Sequence, residues 1–73
     1  MNKKEAQEIS DKIILRLKRE RIKKGISQYK LAKETGMSKS SILYIETLQQ
    51  KPTFYTLLLL CHYLEVDLRE LLS

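Results

Sequence analysis

Residues 26–46 constrain the fold more strongly than any other stretch, because they contain a helix-capping serine on each side of a glycine. Ser27 and Ser38 are residue types that cap helix N-termini, and apolar residues at helical spacing follow each of them. Gly36 lies between the two segments, where the chain has to leave the first helix. The pattern predicts two short helices, over about residues 27–35 and 38–48, joined by a tight turn.

The N-terminal part of the chain predicts one long helix, over about residues 3–24. Asn2 and Glu5 have the spacing of a capping box at its start, and Gly25 follows its end. Apolar residues at helical spacing are expected to face the core, namely Ile13, Leu17 and Ile22. The outward face of this helix is then a stripe of lysine and arginine.

The segment after Pro52 predicts two more helices, over about residues 53–64 and 67–72, and no stretch alternates with the period of a strand. The expected fold is therefore all-α with five helices. Cys61 lies in the apolar run of the fourth helix and is expected to be a small core residue. A chain of 73 residues has room for a single small core, so residues 1–73 are predicted to form one domain.

The sequence has no stretch with the apolar length of a membrane span. Its longest aliphatic run is Leu57–Leu60, far below the roughly 20 residues that a spanning helix needs. The first residues, Met-Asn-Lys-Lys-Glu, lack the apolar core of a secretory signal. The expected compartment is the cytoplasm.

The formal charge of +5 is unevenly distributed along the chain. Residues 1–51 contain 13 Lys or Arg against 6 Asp or Glu, a balance of +7, whereas residues 52–73 contain 1 against 3, a balance of −2. One part of the molecule is therefore expected to attract phosphate. A lysine-rich solvated surface would give the same totals, so charge alone does not decide between the two interpretations.

Residues that could support catalysis are few. Cys61 and His62 are the only thiol and the only imidazole, and as neighbours on a helix they point about 100° apart, which suits neither a metal site nor a nucleophile with its base. Carboxylates gather at Glu65, Asp67 and Glu70, where a solvated face with a helix cap at Asp67 explains them. No enzymatic activity, metal or cofactor is expected.

Residues 27–46 carry a longer pattern of residue types: Ser-Gln-x-x-Leu-Ala-x-x-x-Gly-Met-Ser-x-x-x-Ile-x-x-Ile-Glu. This pattern resembles the DNA-binding domains of the lambda-repressor and Cro type, a helix-turn-helix family. The resemblance continues through residues 52–53, 63–66 and 68–72, so it covers nearly the whole chain. It implies a helix-turn-helix motif at about residues 27–48, with the second helix of the motif in the major groove of double-stranded DNA.

The resemblance makes the helix after Ser38 the recognition helix. With Met37, Ile42 and Ile45 directed to the core, helical spacing turns a set of mostly polar side chains outward. A lysine can donate to guanine O6 or N7, and a leucine can lie against a thymine methyl group. The residues expected to contact bases are Lys39, Ser40, Leu43 and Tyr44.

The resemblance also implies contacts that hold the DNA backbone and the fold. Gln28 is expected at a phosphate, because its backbone N–H is one of the free donors at a helix start. The other residues expected at the backbone are Ser38, Thr47, Gln49 and Lys51. Arg21 and Glu46 fall on the positions of a mostly buried ion pair.

Two positions depart from the pattern of the family. Leu48 stands where a glycine usually ends the recognition helix, so that helix is expected to run longer or to end at Gln49. Glu65 stands where a glycine is common in the turn between the fourth and fifth helices.

The function that the resemblance implies is that of a small transcriptional regulator, expected to be a repressor of the phage, mobile-element or restriction-controller kind. Two alternatives stay open: a protein-interaction module, such as an antitoxin or anti-repressor with the same fold, and a nonspecific nucleic-acid binder.

A homodimer on a palindromic operator is expected, because pairing two recognition helices about one DNA turn apart gives such repressors their specificity. The inward faces of the last two helices are expected to use Phe54, Leu57, Leu60, Leu64, Val66, Leu68 and Leu71. The apolar residues left for a dimer interface are Leu59, Tyr63 and Leu72.

Overall fold

A computed structural model describes residues 1–72, which form five α-helices without a strand. The helices are α1 (Lys3–Lys23), α2 (Gln28–Thr35), α3 (Lys39–Glu46), α4 (Phe54–Leu64) and α5 (Leu68–Leu72). The predicted all-α class and the five helices are confirmed. The predicted domain also includes Ser73, which lies outside the described residues.

Side-chain caps set the starts of the first four helices. The Asn2 side chain accepts the backbone N–H of Glu5 at 2.8 Å, and the Glu5 carboxylate accepts the N–H of Asn2 at 3.3 Å, so the predicted capping box is confirmed. In each of the next three helices, the hydroxyl oxygen of the cap residue accepts the backbone N–H of the residue three positions later, at 3.0–3.1 Å. These cap residues are Ser27, Ser38 and Thr53. Each such cap typically contributes about 1 kcal/mol.

The core lies where α1, α2, α3 and α4 meet, closed at one side by α5. Its largest fully buried side chains are Leu31, Ile42, Ile45 and Leu64. Cys61 is 5% exposed and belongs to this core, as predicted. Burying a side chain of the Leu or Ile type stabilises the fold by about 1.5–3 kcal/mol, so these few residues account for much of what holds the helices together.

Two residues that were expected to face the core are exposed instead. Ile22 is 58% exposed, because α1 buries Ile14, Leu17 and Arg21 along one face and Ile22 is rotated about 100° from Arg21. Phe54 is 66% exposed, because it is the first residue of α4 and no other helix covers it fully. Leu59, expected to be exposed, is half-buried.

The expectation of a longer recognition helix is wrong. α3 ends at Glu46, and Leu48 takes the left-handed backbone conformation, with φ of +64°. The backbone N–H of Gln49 then reaches back to the carbonyl of Tyr44 at 2.8 Å and closes the helix end. Glu65 likewise has φ of +55° at the end of α4. Both residues therefore adopt the geometry for which glycine is the usual choice.

This geometry predicts that Glu65→Gly stabilises the protein. A left-handed conformation costs a residue with a side chain about 1–2 kcal/mol, and the greater freedom of glycine in the unfolded chain offsets part of that gain. We expect the free energy of unfolding in urea to rise by roughly 0.5–1 kcal/mol. Glu34→Gly, the same change at an exposed helical position of α2, is the control and is expected to lower it by about 1 kcal/mol. A loss of similar size in both variants would contradict the interpretation.

Candidate nucleic-acid interface

α2 and α3 form the two-helix unit that the sequence indicated. Gly36 ends α2 with φ of +77°, in the left-handed region, and thereby makes the tight turn. Leu31 and Ala32 of α2 and Ile42 of α3 are buried in the same core. Because both helices are fixed by this shared packing, the outward face of α3 has one orientation relative to the start of α2.

The residues expected to contact bases lie together on the exposed face of α3. Leu43 and Tyr44 are 42% and 45% exposed, and Lys39 and Ser40 are exposed one turn nearer the N-terminus of the helix. Within residues 1–72, the side chains of Lys39, Ser40 and Tyr44 have no hydrogen-bond partner. This face therefore presents an ammonium group, two hydroxyl groups and an apolar side chain, all free to contact the edges of bases.

Most residues expected at the DNA backbone are exposed but hydrogen-bonded within the protein. The Ser38 hydroxyl caps α3, and the Thr47 hydroxyl donates to the carbonyl of Leu43 at 2.8 Å. The Gln49 amide donates to the Thr47 hydroxyl at 2.8 Å, and the Lys51 ammonium donates to the side chain of Gln7. These bonds hold the loop after α3 in a defined shape while its residues remain at the surface.

Arg21 and Glu46 form a buried, bidentate ion pair that joins α1 to the end of α3. The Nε and one terminal nitrogen of Arg21 donate to the two carboxylate oxygens of Glu46 at 2.6 and 2.8 Å. Only 8% of Arg21 and 7% of Glu46 is exposed. The other terminal nitrogen of Arg21 donates to the carbonyl of Ile26 at 2.8 Å, so this arginine also fixes the chain that leads into α2.

Gln28 belongs to the same network, which the sequence did not reveal. Its side-chain amide donates to the Glu46 carboxylate at 2.9 Å, and the residue is half-buried. The side chain therefore ties the start of α2 to the end of α3, while the backbone N–H groups of the first turn of α2 have no acceptor inside the helix. Gln28, the residue expected at a phosphate, therefore keeps its backbone N–H free to donate to a phosphate oxygen.

Two cations, one in α1 and one at its C-terminal end, hold the C-terminal helices, and the sequence did not reveal either contact. Arg16 donates to the carbonyl of Glu70 at 2.6 Å, and the Lys24 ammonium donates to the carbonyl of Leu64. Cations suit the carbonyl ends of helices because of the helix dipole and the unpaired carbonyl groups. A lysine-rich helix does not reveal which of its residues have this role, since the partners lie 40 and 54 residues away.

The groups with catalytic potential are held apart. Cys61 faces the core, where burial raises the pKa of its thiol, and His62 is exposed on the other side of α4. Residues 1–72 contain no group of three His, Cys, Asp or Glu side chains arranged to hold a metal ion. Within the same residues, no helix is both long and apolar enough to cross a membrane.

Comparison with known proteins identifies the family. Residues 17–71, more than half of the chain, match the protein-family model described as Helix-turn-helix. Neither the curated proteins nor the solved structures gave a match to this chain. The matched segment contains the whole α2–α3 unit, the Arg21–Glu46 pair and the exposed face of α3. The chain therefore belongs to the DNA-binding helix-turn-helix family of the lambda-repressor and Cro type.

Proposed function

We propose that this protein is a sequence-specific regulator of transcription that represses by occupying an operator in double-stranded DNA. The observation that carries the proposal is the unpartnered polar face of α3, fixed beside the start of α2 by the buried Arg21–Glu46 pair. The expected setting is the cytoplasm, in control of phage, mobile-element or restriction genes.

In the proposed complex α3 lies in the major groove. Lys39 donates to guanine O6 or N7, Leu43 lies against a thymine methyl group, and Tyr44 reaches a base or a phosphate. Ser40 donates to or accepts from a base edge. The contacts to the DNA backbone come from Gln28, Ser38, Thr47, Gln49 and Lys51. The exposed members of this set exchange the hydrogen bonds that they donate within the protein for hydrogen bonds to phosphate oxygens.

The experiment that tests this proposal is selection of bound sites from random duplex DNA, followed by salt titration on a selected and a random duplex. A sequence-specific regulator yields one enriched motif and binds it typically more than 1,000-fold more tightly than random DNA. Equal and steeply salt-dependent binding to both duplexes would indicate a nonspecific binder, and weak binding to both would indicate a protein-interaction module.

The proposal includes a homodimer on a palindromic operator, and α4 offers the surface for it. This helix of 11 residues, Phe-Tyr-Thr-Leu-Leu-Leu-Leu-Cys-His-Tyr-Leu, contains no Lys, Arg, Asp or Glu. Its outer side carries Tyr55, Leu58, Leu59, His62 and Tyr63 at helical spacing, and four of these five are exposed. A helix that is apolar on all sides usually has both sides covered. Leu72 on α5 is 65% exposed and could extend the contact.

Leu58→Glu is expected to shift the protein from dimer to monomer in sedimentation at micromolar concentration, because two buried carboxylates would then meet at the two-fold axis. Leu15→Glu is the matched control, since Leu15 on α1 is 42% exposed against 40% for Leu58. It is expected to leave the dimer intact. A parent protein that stays monomeric and binds a non-palindromic site one-to-one would overturn the dimer proposal.

A further inference from the structure

The first turns of α1 lie outside the matched segment 17–71 and form a shallow pocket with the loop that follows α3. The pocket is lined by Lys3, Ala6, Gln7, Ser10 and Lys51. The Lys51 ammonium donates to the Gln7 side chain, so the loop is attached directly to α1. The surface of the loop, whose residues are proposed to lie at the DNA backbone, therefore continues onto the start of α1.

Among the described residues, three that line this pocket carry charged or polar hydrogen-bond donors free of any carboxylate partner, namely Lys3, Ser10 and Lys51. Lys3 and Lys51 bring two ammonium groups, and neither forms an ion pair with a carboxylate of residues 1–72. The Ser10 hydroxyl is half-buried and has no hydrogen-bond partner in the same part of the chain. Two cations side by side repel each other, and an anion between them removes that repulsion.

Gln7 positions the lysine of the loop and lies between it and Asp11 in a chain of hydrogen bonds. Its carbonyl oxygen accepts from Lys51, while its amide nitrogen donates to the Asp11 carboxylate at 2.8 Å. Asp11 is thus held by the far end of the glutamine and does not line the pocket. Apart from the Gln7 side chain and the methyl group of Ala6, the pocket is lined by Lys3, Ser10 and Lys51, whose donors suit phosphate oxygens.

Resting on the proposed function, we propose that this pocket binds a DNA backbone phosphate beyond the edge of the site that α3 reads. α1 then extends the footprint of the protein along the duplex, with Lys3 as the cation of the pocket that lies outside the family segment. The ligand is a phosphodiester rather than a free phosphate, because the pocket is shallow, open and continuous with the loop at the end of α3.

The test is the salt dependence of binding to the selected duplex. Lys3→Gln is expected to reduce the slope of log K against log salt concentration by about 0.9, the contribution of one phosphate contact. Lys4→Gln is the matched control, because it removes the same charge from a neighbouring residue that does not line the pocket. It is expected to leave the slope unchanged.

A second arm locates the phosphate. Single phosphates along the flanks of the duplex are replaced in turn by neutral methylphosphonates. At one position the replacement is expected to weaken binding by the parent protein and to leave binding by Lys3→Gln unchanged.

Equal slopes for Lys3→Gln and Lys4→Gln would overturn this inference and leave the proposed function standing, provided that the parent protein binds the duplex specifically. Saturable binding of inorganic phosphate that is lost in Lys3→Gln, without any change on DNA, would also overturn it. A parent protein that binds no duplex specifically would overturn the proposed function itself.

Discussion

Replacing Glu46 by glutamine is expected to lower the free energy of unfolding by about 3–5 kcal/mol. The carboxylate accepts two hydrogen bonds from Arg21 and one from Gln28 in a nearly closed environment. Glutamine leaves the guanidinium buried without a countercharge, and it places an amide nitrogen where an acceptor is needed. In a domain of this size the melting midpoint should fall by about 12 °C or more.

The matched control is Glu20→Gln, the same chemical change in a more exposed pair. Glu20 lies 4.0 Å from Lys24, and about a third of each side chain is exposed. Its loss should cost about 0–1 kcal/mol. Replacing both buried partners by apolar residues, Arg21→Met with Glu46→Leu, should give a protein more stable than Glu46→Gln. A midpoint in Glu46→Gln that falls no further than in Glu20→Gln would show that the pair contributes little.

Replacing Lys39 by alanine is expected to change which DNA sequences the protein prefers. A good contact between a lysine and a guanine contributes about 1–3 kcal/mol of discrimination, or roughly 5–150-fold at one base pair. Site selection with Lys39→Ala should therefore lose the preference at that position and keep it elsewhere. Tyr44→Ala is expected to alter a position further along the groove.

Lys51→Ala is the control for this experiment, because it removes another exposed lysine, from the loop after α3. A phosphate contact carries no sequence information, so this variant should bind all sequences more weakly by a similar factor. A preference profile for Lys39→Ala that matched the parent at every position would rule out direct readout by Lys39.

Local chemistry explains why so much of the fold could be predicted from sequence. Ser27, Ser38 and Gly36 act through hydrogen bonds and backbone preferences that span three or four residues, and the starts of α2 and α3 and the end of α2 follow from them. The exposed face of α3 follows in the same way, because burying Ile42 and Ile45 leaves Lys39, Ser40, Leu43 and Tyr44 outside. Each of these inferences needs only helical geometry and a cap.

The features that sequence reasoning missed depend on distant partners. Ile22 was expected to be buried because it is apolar. The buried face of α1 instead includes Arg21, because its partner Glu46 lies opposite that face. Leu48 was expected to prolong α3, but the hydrogen bond from Gln49 to Tyr44 outweighs the strain of a left-handed leucine. In both cases a tertiary contact or a closing hydrogen bond overrides the local preference of one residue.

The hydrogen bonds from Arg16 and Lys24 to the carbonyl groups of Glu70 and Leu64 have a consequence for how the chain folds during synthesis. Most contacts are local, which favours fast folding once the chain is complete. Of these five helices, however, α1 leaves the ribosome first and its partners α4 and α5 leave last. Until those partners emerge, the apolar sides of α1, α2 and α3 are incompletely covered. We therefore expect a nascent chain that ends before α4 to stay unfolded, and affinity for DNA to arise only after α4 and α5 have emerged.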